Sequence, residues 1–304
     1  MTAQRRILAL ALLVSAAWPA GCGPDRRDVP DDEDTETDTD TGCDCDLTDD
    51  ATPQNFAAAM NLCPEAYLTS ASTDMTSPQG ELGFGVREAF GTSDCLVARQ
   101  GCEMLAIATG PVDEENPNEA EDMGGNTGDT DLDPQPAYQG GDPTTTDIQE
   151  ACDRNQLRTT LTVPDGKHGF SFDFLFASAE FDEYLNEYYN DTFYAIMEYD
   201  TLNGGATTNI AFDDFGNEIE VDAEFFENPA HPCSEQGSPW SPSIEGVAGS
   251  TGWLRTSWPA APGDTFDLTF SIHDEGDCLV DSLVLIDHFR WLKDAPSGAT
   301  VPIE

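Results

Sequence analysis

The side chains best suited to chemistry in this chain are carboxylates. Glu180, Asp182, Glu183, Asn190 and Asp191 crowd one short stretch, and Asp274, Glu275, Asp277 and Asp281 crowd another. Carboxylate and amide oxygens are the hard ligands that Ca²⁺ takes, about six to eight at a time. A bound cation would also offset the repulsion between such neighbours. The candidate calcium ligands are Glu180, Glu183, Asn190, Asp191, Asp277 and Asp281. The competing reading is structural, because short polar residues beside strands form Asx-turns and satisfy backbone N–H groups. If strand directions simply alternate, the loops after Ser178 and after His273 leave a sandwich at opposite ends. One further strand in residues 227–250 would bring them together.

Other reactive types form no constellation. His168, His231, His273 and His288 show no zinc-hydrolase spacing such as H-E-x-x-H. Ser250 lacks the G-x-S-x-G nucleophile elbow. Acids are so frequent that carboxylate pairs of the glycosidase kind arise by chance proximity. No catalytic residue is assigned, and the chain reads as a non-enzyme. Tyr184, Tyr188 and Tyr189 sit between strand-like segments and are the candidate ligand contacts. Trp240, Trp253, Trp258 and Trp291 would extend a sugar-stacking platform, although strand aromatics more often fill cores.

These residues need a scaffold, and period-two patterning supplies one. Phe170, Phe172, Phe174 and Phe176 fall on one face, with Ser171, Asp173, Leu175 and Ala177 on the other. Phe266, Leu268, Phe270 and Ile272 repeat the pattern, as do Ile219, Val221, Ala223 and Phe225. Leu283, Leu285, Phe289 and Trp291 share a parity that Asp287 interrupts. Shorter strands are expected at 157–163, 192–199, 207–212 and 253–258, with two more at 81–90 and 103–109. Thr52 and Pro53 open a short helix over 53–63. About eight to ten strands, each with one apolar face, specify an all-β fold. The expectation is an antiparallel β-sandwich, jelly-roll-like, with a short N-terminal helix and long acidic loops. Its polar faces carry acids, which predicts a strongly anionic surface.

Composition sets the partners. Against 59 Asp and Glu stand 12 Lys and Arg, a net charge of −47. Such a field repels phosphate backbones and excludes nucleic acid as a partner. Residues 25–50 are mostly Asp, Glu and Thr, which repel one another and cannot fill a core. They read as an extended tether, and residues 111–143 as a second acidic loop. Residues 1–21 hold Arg5 and Arg6, an apolar run of about a dozen residues, and a small-residue ending before Cys22. The run is too short to span a bilayer and reads as an export signal. Its ending resembles a bacterial lipobox, with Pro19 where such signals usually carry Leu. That resemblance implies cleavage before Cys22 and a diacylglyceryl group on its sulfur. Of nine cysteines, this leaves Cys43, Cys45, Cys63, Cys95, Cys102, Cys152, Cys233 and Cys278. An even set in an exported chain favours disulfides, with Cys95–Cys102 a plausible local bridge. The single residue between Cys43 and Cys45 does not suit zinc.

The order of segments resembles a known family. Phe174 to Tyr184 reads F-L-F-A-S-A-E-F-D-E-Y, followed by Asn190-Asp191-Thr192-Phe193 and, near the end, Asp281-Ser282-Leu283-Val284-Leu285. Thr208-Asn209-Ile210-Ala211 and Gly249 to Leu254 fall between them. This is similar to the choice-of-anchor L domain of bacterial surface and secreted proteins, over roughly residues 55–293. Ala179 and Phe181 depart from its usual Glu and Tyr. The resemblance implies surface display and no established activity. The expected organisation is a signal peptide (1–21), an acidic tether (22–52), a sandwich domain (53–293) and a C-terminal tail (294–304). The expected role is non-catalytic adhesion or ligand binding at the outer membrane or cell surface, held by lipid, with a carbohydrate or surface protein as ligand. A secreted hydrolase acting on carbohydrate or another polymer, and a structural envelope component without a small ligand, are the alternatives.

Overall fold

The computed structural model describes residues 52–63, 67–75, 83–90, 96–112, 151–181, 185, 191–199, 207–226, 249–275 and 280–303. The export-signal stretch, Cys22, the acidic tether through residue 51 and nearly all of the second acidic loop lie outside them.

The fold opens with helix α1 (Pro53–Ala59). Thr52 caps it by accepting the Asn55 N–H at 3.3 Å, and Pro53 takes the first turn, where no N–H is needed. The helix is shorter than expected because Asn61 turns the chain with a φ of 70°. Phe56, Ala57 and Ala59 face the core.

Among the described residues, fifteen strands follow in chain order: β1 (Leu68–Met75), β2 (Phe84–Arg87), β3 (Ala89–Phe90), β4 (Leu96–Val97), β5 (Met104–Ala108), β6 (Ala151–Thr162), β7 (Gly169–Ser178), β8 (Thr192–Tyr199), β9 (Thr207–Asn209), β10 (Ile219–Glu220), β11 (Gly249–Ser250), β12 (Leu254–Pro259), β13 (Thr265–Glu275), β14 (Ser282–Leu292) and β15 (Ala299–Pro302). The first sheet has the order β1-β6-β13-β8-β10, with β9 also on β8. The second has the order β15-β12-β7-β14-β5-β2, with β11 also on β7. The pairings are antiparallel, as the alternating pattern requires. Phe170, Phe172, Phe174 and Phe176 from the second sheet interleave with Phe193, Phe266, Leu268, Phe270 and Ile272 from the first. The fold is therefore the expected antiparallel β-sandwich.

Three strand expectations are corrected. The segment from Ile219 to Phe225 is a strand only at Ile219–Glu220, after which a 3-10 turn at Glu224–Phe226 tucks Phe225 and Phe226 into the core. In β14 the shared parity conceals a change of face. Leu283 and Leu285 point outwards, whereas Phe289 and Trp291 point into the main core. A bulge between Asp287 and Arg290 inserts the extra residue, with His288 at a φ of 56°. Finally, the outward row of β7 is not a solvated polar face: all ten residues of the strand are buried. The excursion between β2 and β5, which contains the small β3–β4 sheet, folds over that row. Leu96, with the half-buried Phe90 and Ala98, packs on Leu175, Ala177, Leu283 and Leu285 as a second apolar cluster.

Candidate functional site

Both acidic stretches leave the sandwich at one end, contrary to simple alternation. The reason is on the edge of the first sheet. Thr207–Asn209 and Ile219–Glu220 both run antiparallel to β8, as two pieces of one interrupted edge strand. Because they share a direction, every later strand reverses. Ser178 at the end of β7 then stands opposite Ser282 at the start of β14, and His273 opposite Thr192. Glu180 is 1% exposed, and its Oε2 accepts the Asp191 N–H at 3.2 Å. The Ala179 N–H donates to the Asp281 carbonyl at 3.2 Å. The Asp281 carboxylate occupies the space beside Gly110, where an added Cβ would clash with it. Glu180, Asp191 and Asp281 thus sit at the same end of the sandwich, with buried Asp274 just beyond the β13–β8 pairing. Glu183, Asn190, Asp277, Tyr184, Tyr188 and Tyr189 lie outside the described residues. Among the described residues, no three His, Cys, Asp or Glu side chains stand in a metal-holding arrangement. What the geometry shows directly is Glu180 satisfying the backbone that starts β8.

A second centre was missed by sequence reasoning. Asp173 of β7 and Asp287 of β14 are register partners on the outward side of the second sheet, and both are fully buried. Arg255 of β12 lies opposite Asp173 on the other side. Its Nε donates to Asp173 Oδ1 at 2.7 Å and its Nη2 to Oδ2 at 3.0 Å, a bidentate pair. Arg99 reaches in from the covering segment and donates from Nε to Asp173 Oδ2 at 2.8 Å. His288 Nδ1 stands 3.1 Å from the same oxygen and 3.4 Å from Arg255 Nη2. Burial pushes the Asp173 carboxyl up, but the hydrogen bonds and charges of His288 and Arg255 outweigh it and hold the group at about 2.

Asp287 binds backbone instead. It accepts the N–H groups of Arg99, Gln100 and His288. Burial pushes its carboxyl up to about 7, against those three N–H bonds, and negative Asp173 adds to the rise. The two aspartates therefore divide the work. Asp173 gathers side-chain cations, and Asp287 holds the main chain of the cover onto the sheet. Arg99 also lies 5.4 Å above the Trp253 ring. A carboxylate held at about 2 by surrounding donors is a poor base at neutral pH. The centre is built as a latch. Its sequence signal was an acid at the same register in two otherwise apolar strands, with an Arg on the third.

The remaining candidates divide cleanly. Trp291 is core, Trp258 packs edge-on to Phe212, and His273 stacks on Tyr194 at 5.5 Å. Cys63 and Cys102 are each in a disulfide. Cys43, Cys45, Cys95, Cys233 and Cys278 lie outside the described residues, as do Trp240 and His231, and of Cys152 only the backbone is described. An exposed aromatic escaped notice in the sequence: Phe215 is 73% exposed. It tops a turn in which Asp213 accepts the N–H groups of Phe215 at 2.9 Å and Asn217 at 2.7 Å.

Fold and site together define a two-layer antiparallel β-sandwich whose buried charges brace a cover over one sheet. The choice-of-anchor L domain family matches residues 83–289, more than half of the 304, and the chain belongs to that family. No curated protein matches it. A similar solved structure is that of TmCBM61 in complex with β-1,4-galactotriose, at 9% identity and a TM-score of 0.31, covering 76% of this chain and 93% of that one.

Proposed function

We propose that the protein is a lipid-anchored domain displayed on the cell surface or outer membrane, where it binds a carbohydrate or surface-protein ligand without catalysis. The observation that carries this reading is the division of the chain. An apolar run ends at Cys22, an acid-rich stretch follows, and the family match falls wholly on the sandwich beyond. In this reading a diacylglyceryl thioether at Cys22 holds the protein, and the charged stretch keeps the sandwich clear of the membrane. The Asp173 centre supports a non-catalytic role, because its polar groups are spent on holding the cover. Mass spectrometry of the native protein tests the anchor. A chain that begins at an acylated Cys22 is expected; an intact export signal, or an unmodified amino terminus further on, would contradict it. Incubation with polysaccharides should give retention without new reducing ends.

Calcium belongs to the same proposal as a stabiliser of the carboxylate end. Its support is that three of the candidate oxygen ligands, Glu180, Asp191 and Asp281, sit at the same end of the sandwich. Calcium should raise the melting temperature and a chelator should lower it. Identical melting in both would remove the idea.

A further inference from the structure

The outward side of the first sheet is a face of a different kind from the covered one. Register sets its side chains in rows across four strands. One row runs Ser70, Thr160, Asp267 and Glu198, and the next Ser72, Arg158, Thr269 and Ile196. Neighbours within a row stand about 4.8 Å apart, and the rows about 7 Å apart. The polar groups are tied to one another sideways. Ser70 Oγ donates to Thr160 Oγ1 at 2.9 Å, and Thr160 donates to Asp267. Arg158 donates through Nη2 to Asp267 Oδ2 at 2.6 Å and to Glu198 Oε2 at 3.0 Å. The side chains of Arg158 and Glu198 nevertheless remain 50% and 45% exposed. Ser70, Thr160, Asp267, Arg158 and Glu198 are thus held in place by one another while the face stays open to solvent, so little ordering of these groups remains to be done on binding.

The chemistry of this face selects its occupant. A chain with a net charge of −47 repels polyanions. Ile196 is the one apolar side chain in these two rows, and it is half-buried, so the aromatic and apolar anchors that drive protein docking are missing from them. A flat, preorganised grid of hydroxyls, carboxylates and one guanidinium matches a partner that both donates and accepts along its length without charge. We infer that this face binds a neutral polysaccharide laid across β6, β13 and β8, over Arg158, Thr160, Asp267, Thr269 and Glu198. The inference rests on the ligand-binding reading above and gives it a place and a ligand class.

The test applies the intact protein to an array of neutral and acidic glycans, then titrates the strongest neutral glycan. Arg158→Ala and the double variant Thr160→Val with Thr269→Val are compared with a control, Ser257→Ala, on the outward side of the second sheet. The expected result is binding of neutral glycans, at least tenfold weaker in both face variants, unchanged in the control, with all melting temperatures retained. Equal binding by the face variants would overturn the assigned face and leave a ligand-binding domain. Binding to acidic glycans or to a surface protein alone would overturn the ligand class and leave surface binding intact. No binding to any glycan or to the cell envelope would overturn both readings.

Discussion

Asp173 and Asp267 occupy the same kind of sequence, an acid between two core-facing apolar residues in a long strand, yet they live in different surroundings. Asp173 is fully buried under the segment between β2 and β5, gripped by Arg99, Arg255 and His288. Asp267 is 24% exposed and shares Arg158 with Glu198 in the open. The difference lies in what the chain lays over each sheet. The second sheet is roofed, so its outward acids become structural. Over the rows of Thr160, Asp267 and Glu198 and of Arg158 and Thr269 the first sheet is open, although it is covered further along at Tyr194 and Ser271, so the outward acids of those rows stay available. Strand patterning decides which residues point inward; a covering segment decides whether the outward ones meet water.

That contrast can be broken by substitution. The largest effect is expected at Asp173. Its replacement by Asn leaves Arg99 and Arg255 under cover without their counter-charge, and removing one partner of a buried pair costs about 3–5 kcal/mol. Asp267→Asn should cost about 1 kcal/mol or less, as exposed pairs do. Urea denaturation measures both, and equal losses would erase the distinction. Next comes Leu175→Ala, an outward residue beneath the roof, expected to cost about 2–5 kcal/mol. Thr269→Ala, outward on the bare sheet, should lie within about 0.5 kcal/mol of the parent.

Acidity sharpens the same comparison more gently. Asp287 titrates near 7 when folded, because burial outweighs the N–H bonds it accepts. Unfolded aspartate titrates near about 4. Between these values the folded state holds a proton that the unfolded chain has lost, so this group's contribution to stability falls as pH rises through that window. Asp153, raised by burial to about 7, acts in the same direction. Asp173, held at about 2, acts oppositely: its contribution is present above about pH 4 and is lost as pH falls towards 2. Stability should therefore rise from pH 7.5 to 4.5 and drop below 4. Asp287→Asn should flatten the upper limb relative to the parent. An unchanged slope would mean that Asp287 titrates normally. A comparably small effect, about 0.5 kcal/mol or less, is expected for Arg158→Ala, because its partners remain hydrated.

The alternating Phe residues of β7 and β13 announced a sandwich, because a period of two with one apolar face has few other solutions. Thr52-Pro53 likewise announced the helix start. What stayed hidden depends on contacts between distant segments. Leu283 and Phe289 look alike in parity, and only the bulge at His288 places them on opposite sides; a non-glycine residue at positive φ leaves no mark in the sequence. Thr207–Asn209 and Ile219–Glu220 were visible as two strands, but their common direction was not, so simple alternation of strands put the two acidic loops at opposite ends. Asp173 looked solvated because nothing local shows that residues 96–102 will cover it. The calcium-ligand candidates Glu180, Asp191 and Asp281 share one end of the sandwich through that topology.

Carboxyl footprinting of the intact protein tests the contrast between roofed and bare sheets most directly. A carbodiimide and a small amine label carboxylates that water can reach, and mass spectrometry locates the labels. Rapid labelling of Asp74, Glu198 and Asp267, with Asp173 and Asp287 protected until the protein unfolds, is the predicted result. Labelling of Asp173 and Asp287 at the rate of Asp267 would contradict the account.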